Sequence, residues 1–398
     1  MKKKKYDIVF LIKLGEDIMG KKKKDIKITM ATIGIYIVLL VAGFFGGILS
    51  RKVLAKSNMQ FGEALISIII YIAIFIVIFG LHIILHEAGH LILGLMSEYE
   101  FISFRVGSLT LIKDEGKFKF KSFNIKGTAG QCLMMPKTDN YKEVKYILYN
   151  LGGTLMNLII TIISLVILIA FNISPIIKFI LIASIISGVI CVISNGIPMK
   201  FGGIANDGYN IVSISKDDFM KYCFYIQLKV NGLLSKGMRM KDMPIEWFYL
   251  RDKADLNNPL VTALKIMEGN YYYDNLNFEE AQRCYEEILE KAPKIMKIYE
   301  YEINCELLFF EILKGNMDKV KELYTEELRN YIKATSCYIS RKRLMYAYNL
   351  IVLKDKKKTE KILKEIEKVK KTYPIKGDIL SEEEVINFIG DTNNIEVV

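Results

Sequence analysis

The only three histidines in the sequence, His82, His86 and His90, stand four residues apart. Side chains four apart on a helix lie one above the other, so His86 and His90 can bring two imidazoles to one metal ion. Glu87 borders the same face and completes a His-Glu-x-x-His pattern. There a carboxylate can take a proton from a water that zinc has made acidic, the chemistry of metal-assisted hydrolysis. The pattern implies one Zn2+ per chain. His82 lies one turn further along that face. It reads as a metal ligand, as a group acting on the substrate or on a ligand, or as a packed side chain. Hydrolytic zinc sites usually keep three protein ligands and one open position, which favours the second role over the first.

A third ligand must come from another element. Asn195-Gly196-Ile197-Pro198 closes a long apolar run, and Asn206-Asp207-Gly208 follows. Proline ends the regular helix and the nearby glycines let the chain turn back, so Asp207 can approach the metal. It reads equally as an ordinary turn aspartate. Asn157, inside another apolar run, is either glue between helices or a donor that polarises the scissile carbonyl.

These residues need a scaffold, and hydropathy supplies it. Hydrophobic residues make up 52% of the 398, and the long apolar runs lie before residue 200. Four are long enough to cross a bilayer, which takes about 20 residues: Ile28–Leu49, Ala64–Met96, Tyr146–Phe171 and Pro175–Ile197. Lys and Arg number ten in residues 1–27 and nine in 97–145, against three in 51–61 and none in 171–175. By the positive-inside rule both termini are then cytosolic. An ionisable group at membrane depth costs about 2.5–3.5 kcal/mol, so the histidine cluster is there for a reason. Residues 108–112 and 117–121 alternate or are β-rich around Lys113-Asp114-Glu115-Gly116, which predicts a hairpin over about 108–121.

Beyond residue 212 the sequence is charged, helical and free of spans. Gly269, Tyr272, Ala281, Tyr285 and Pro293 sit at the offsets of a tetratricopeptide helix pair, with weaker echoes near Gly315, Val320 and Tyr324 and near Pro374. An irregular helical domain fits nearly as well. The expected fold is therefore an all-α membrane protein with a small β-hairpin insertion, four transmembrane helices and a helical, tetratricopeptide-like cytosolic domain. Its parts are a basic cytosolic arm (1–27), an extra N-terminal span and loop (28–61), a membrane core (62–212) and the helical domain (213–398). The net charge of +11 sits largely beside the spans, where lysine meets anionic lipid, and no groove-reading motif accompanies it. Nucleic acid is not an expected partner. Six scattered cysteines form no C-x-x-C pair, which argues against disulfides and thiolate zinc.

Taken in order, these pieces resemble the site-2 protease family of intramembrane zinc metalloproteases. His86-Glu87-Ala88-Gly89-His90 matches its H-E-x-x-H helix, Gly153 with Asn157 its glycine–asparagine motif, and Asn195-x-x-Pro198 with Asp207-Gly208 its N-x-x-P…D-G segment. The stretch Met199–Asn206 is longer than the family's usual gap, and Tyr209 stands where a second glycine is common. The resemblance covers about residues 62–212. It implies zinc on His86, His90 and Asp207, Glu87 activating water, and a membrane-anchored protein or peptide as substrate. By the same likeness an unwound substrate would add as a strand beside the hairpin. Asn157, His82 and Asn195 are candidates for supporting or substrate-polarising roles. A bacterial cytoplasmic membrane is the expected location, and the helical domain is expected to take a peptide or protein partner. The competing reading is a membrane-anchored helical-repeat scaffold with an inactive protease-like core. A zinc transporter would need two half-repeats, and the spans show none.

Overall fold

The computed structural model describes residues 61–123, 128–201 and 204–395. The arm 1–27 and the span Ile28–Leu49 lie outside the described residues. Among the described residues three helical stretches are long and apolar enough to cross a membrane: Leu65–Met96, Tyr141–Ala170 and Pro175–Gly196. They correspond to helices α1 (Phe61–Met96), α2 (Tyr146–Ala170) and α3 (Pro175–Gly196). At 1.5 Å per residue the 36 residues of α1 extend about 54 Å, well beyond a hydrocarbon core of about 30 Å. One helix can thus cross and still carry the histidine turns to its far end.

The chain packs as two units. The described part of the first comprises residues 61–81 and 160–187. Its buried centre is Phe75, Phe179 and Ala183, with Tyr71 tilted on Phe179 at 4.5 Å. Ser164 and Ser184 share a 2.9 Å hydrogen bond between α2 and α3, which satisfies two hydroxyls where lipid offers no partner. Ile66, Ile69, Ile76, Val77, Ile162 and Val166 face outward, as lipid-facing side chains should.

The second unit comprises residues 82–159 and 188–398. The hairpin expected at 108–121 is present as β2 (Leu109–Asp114) and β3 (Lys117–Ser122). It belongs to something larger than the sequence predicts. With β1 (Tyr99–Val106) and β4 (Gly130–Pro136) it makes a four-stranded antiparallel sheet of order β3-β2-β1-β4. A register shift between Phe101 and Ser103 breaks the alternation in β1, so no period of two announces that strand. After α3 come a two-strand ribbon, β5 (Lys200–Phe201) and β6 (Ile204–Ala205), and two helices, α4 (Asp207–Ser215) and α5 (Asp218–Ser235).

Helix α5 packs on β4. Gly232 allows the close approach, since a Cβ there would lie 2.5 Å from Met135 Sδ. The remaining helices are α6 (Pro259–Asp274), α7 (Phe278–Lys291), α8 (Lys297–Leu313), α9 (Met317–Leu323), α10 (Glu326–Ala334), α11 (Ile339–Ala347), α12 (Lys356–Thr372) and α13 (Lys376–Ile395). Asn258, Asn277, Asn316, Thr325 and Asp355 each accept a backbone N–H at the start of the helix that follows, each cap contributing about 1 kcal/mol. Over residues 259–291 helices α6 and α7 pack against each other as a hairpin. Ala281 is fully buried, and Gly269 leaves room for the Tyr285 ring, 2.5 Å from where its Cβ would be.

Candidate metal centre

His86 and His90 project from successive turns of α1, both buried, with their Nε2 atoms 3.2 Å apart. Asp207, the first residue of α4, brings Oδ2 to 3.2 Å from His86 Nε2 and 3.3 Å from His90 Nε2. Those three atoms form a nearly equilateral triangle. Donors at 2.0–2.1 Å from a tetrahedral zinc ion are separated by about 3.3–3.4 Å, so the triangle has the edge that ion requires. Asp207 Oδ2 is also buried without a hydrogen-bond partner, which is costly unless something cationic completes it. Burial would raise its carboxyl pKa, while protonated imidazoles at these distances hold it well below the usual carboxylate range; a metal ion would take over that cationic role once the rings are neutral. Two imidazoles and one carboxylate are a donor set that fits zinc.

Asp207 reaches this place because of Asn206, whose importance the sequence reading did not foresee. Its amide nitrogen donates to the Ser194 and Ile197 carbonyls, both at 2.7 Å. Its oxygen accepts from the N–H groups of Met199, at 3.1 Å, and Tyr209, at 2.9 Å. One side chain therefore sews the return of the chain to the end of α3 and caps α4. Across the long gap the Asn206 N–H donates to the Met199 carbonyl at 3.2 Å, so the two ends of the gap meet. Gly208 then lies so close to Gly196 that a Cβ would sit 2.4 Å from the Gly196 carbonyl oxygen. An asparagine directly before Asp-Gly, at a helix start, is the signal that could have revealed it. Asn206→Ala should weaken zinc affinity by about 10–100-fold, the usual effect of losing a group that orients a ligand. Competition with a fluorescent zinc chelator measures it.

The histidines are oriented from behind. His90 Nδ1 lies 2.7 Å from the Tyr149 carbonyl and donates to it, leaving Nε2 with its lone pair toward Asp207. Asn157, fully buried, bridges His82 Nδ1 at 3.0 Å and His86 Nδ1 at 3.2 Å. For His86 Nε2 to bind metal its Nδ1 must carry the proton. The amide then presents oxygen to His86 and nitrogen to His82, a half-turn that leaves its shape unchanged. His82 thus meets Asn157 and stands outside the three-atom cluster. Asn195 donates to the Cys191 carbonyl at 3.1 Å and borders the pocket.

Glycines let the elements close around these side chains. Gly89 and Gly152 touch back to back where α1 crosses α2, a Cβ on Gly89 falling 2.1 Å from the Gly152 oxygen. Gly153 faces the His86 ring, with a Cβ position 2.4 Å from Cε1. Gly130, at the start of β4, faces Glu87, its Cβ position 2.6 Å from Oε1. Buried Arg105 secures that strand end, donating to the Gly107 carbonyl at 2.8 Å and the Gly130 carbonyl at 3.3 Å. Gly130→Ala should push the Glu87 carboxylate aside and lower turnover by about 10²-fold, the scale of a 1 Å misplacement, while metal content stays unchanged.

A family model described as Peptidase family M50 matches residues 74–373. The chain belongs to Peptidase family M50. No curated protein and no solved structure matches it. Membership supports an intramembrane protease, in a family that is generally metal- and zinc-dependent, and the apolar helices fit an integral membrane protein. The match extends past the 62–212 core into the helical part, so that part lies within the M50 match.

The cluster of His86, His90 and Asp207 opens into a pocket of about 590 Å³ between α1, β4, α4 and α5. Glu87 and the backbone of Gly130–Leu133 form one side; Phe224, Leu228 and Asn231 of α5 form the other. β4 is the last strand of its sheet, so its outer edge has no strand partner among the described residues. The hairpin expected to receive substrate is separated from this pocket by β1. The strand edge beside this pocket is that of β4.

Proposed function

We propose that this protein cleaves peptide bonds in or near the membrane segments of substrate proteins, with one zinc ion on His86, His90 and Asp207 and Glu87 as general base. The observation that carries the reading is the triangle of donor atoms with edges of 3.2–3.3 Å. When bound, zinc would polarise the scissile carbonyl and make water more acidic. Glu87 would take one proton from the attacking water as its oxygen bonds to the scissile carbonyl carbon, and would give that proton to the leaving amine as the C–N bond breaks. Its carboxylate is held by the Cys132 backbone N–H and by the space Gly130 leaves. A substrate helix hides its carbonyls in its own hydrogen bonds. Unwound, it would lie along the open edge of β4, its backbone pairing there as an added strand. Asn157 and His82 act through His86, by fixing which ring nitrogen carries the proton.

The helical half is read as a cytosolic, tetratricopeptide-like module, supported by the α6–α7 hairpin and the lysine bias of the loops. A scaffold with an inactive core remains the competing reading. Against it stand the intact ligand geometry and the helix α5, which walls the pocket. The deciding assay incubates detergent-purified protein with a tagged single-span substrate. Cleavage should stop on adding a zinc chelator and return with zinc; cleavage that persists at full chelation would remove the metal from the mechanism.

A further inference from the structure

The helical half holds a second cavity, of about 320 Å³, lined by α6, α8, α11 and α13. Stacked helix pairs create such concave surfaces, and the lining here is chemically one-sided. Glu302, Glu306, Asp378 and Glu382 face it, against the single cation Arg343. Arg341 pairs with Glu302 at 2.5 Å and Glu306 at 3.4 Å, and Arg343 joins Glu306 at 2.5 Å to Glu382 at 3.0 Å, so these three carboxylates are already partly neutralised from within. Exposure falls inward: the Glu302 side chain is 34% exposed, Glu306 15%, Glu382 8% and Arg343 1%. The mouth is therefore at Glu302 and the floor at Arg343.

Two groups at this floor are incomplete. Arg343 is fully buried, yet its Nη1 has no hydrogen-bond partner, although its other nitrogens do. A buried donor left open calls for an acceptor, and a peptide carbonyl is one. Asp378 accepts from the Tyr373 hydroxyl at 3.2 Å, but no Lys or Arg among the described residues pairs with it. Burial, with the Glu382 charge adding to it, pushes its carboxyl up to about 7. A ligand ammonium or guanidinium would restore its ionised form.

We infer that this cavity docks the Lys/Arg-rich cytosolic flank of a membrane-anchored substrate, basic side chains pairing with Asp378 and Glu302 and a backbone carbonyl accepting from Arg343. The inference rests on reading the chain as an intramembrane protease whose helical half is cytosolic. Membrane proteins concentrate Lys and Arg beside their spans on that side, so an acidic pocket meets a feature common to such substrates. The site would hold the substrate while its span unwinds at the metal centre.

The test is fluorescence anisotropy of a labelled short Lys/Ser peptide titrated with full-length Glu87→Gln protein in a non-ionic detergent. A Glu/Ser peptide of equal length is the control. The Lys/Ser peptide should bind and the control should not, with affinity falling as salt rises. Asp378→Asn should weaken binding at least about tenfold, and Glu302→Gln should weaken it by a smaller factor. If Asp378→Asn does not fold, Glu302→Gln at the exposed mouth carries the test. Equal binding of both peptides, no binding of either, or affinity unchanged in the folded variants would overturn the docking site. Zinc content and cleavage, followed separately with Glu87 intact, report on the protease reading and do not depend on this result.

Discussion

Glu87→Gln should keep about one zinc per chain while lowering peptide hydrolysis by about 10²–10⁴-fold, the contribution of a positioned general base. Glutamine has nearly the shape of glutamate. It keeps an acceptor for the Cys132 N–H and fits the space beside Gly130. What it loses is the ability to take a proton. Glu87 also stands outside the three-atom cluster of His86, His90 and Asp207, so metal binding should not depend on its charge. The measurement is single-turnover cleavage of a tagged membrane substrate, with zinc determined on the same sample. Retained cleavage would assign the base elsewhere; zinc lost with activity would make Glu87 a structural residue.

Removing a ligand should act on the metal itself. Wild-type protein purified in detergent should contain about one zinc per chain, and His86→Ala and Asp207→Ala should each contain almost none. Each substitution removes one of the three donor atoms clustered there among the described residues. His82→Ala is the control: its ring meets Asn157, so zinc should stay bound, weakened by the about 10–100-fold that loss of a supporting group brings. Mass spectrometry of metal content decides between these outcomes. Zinc lost in His86→Ala but kept in Asp207→Ala would place the third ligand elsewhere. A folded wild type without zinc would favour the scaffold reading.

Local periodicity made part of this legible. Four-residue spacing within one helix needs no tertiary information, so His86 and His90 could be paired from the sequence, with Glu87 beside them. Bilayer-length apolar runs were equally plain, and α1, α2 and α3 begin or end within a few residues of those runs. The sheet was only half visible. β2 and β3 alternate around a tight turn, whereas β1 carries a bulge and β4, Gly-Gln-Cys-Leu-Met-Met-Pro, lacks β-branched residues. The strand nearest the metal centre was therefore the one the sequence concealed.

The type of chemistry, its two imidazoles and its membrane setting were determined by residue types and spacing alone, because each depends on neighbours within a few helical turns. Tertiary structure decided the rest. Asp207 could join the histidines only if the chain turned back after α3, and the hydrogen bonds of Asn206 that hold this turn reach Ser194, Ile197, Met199 and Tyr209. The acidic cavity is assembled from helices spread between Ile266 and Glu382, where no spacing rule links one residue to the next. Periodicity reports which face of one element a side chain occupies; which faces meet is set by packing between elements distant in sequence.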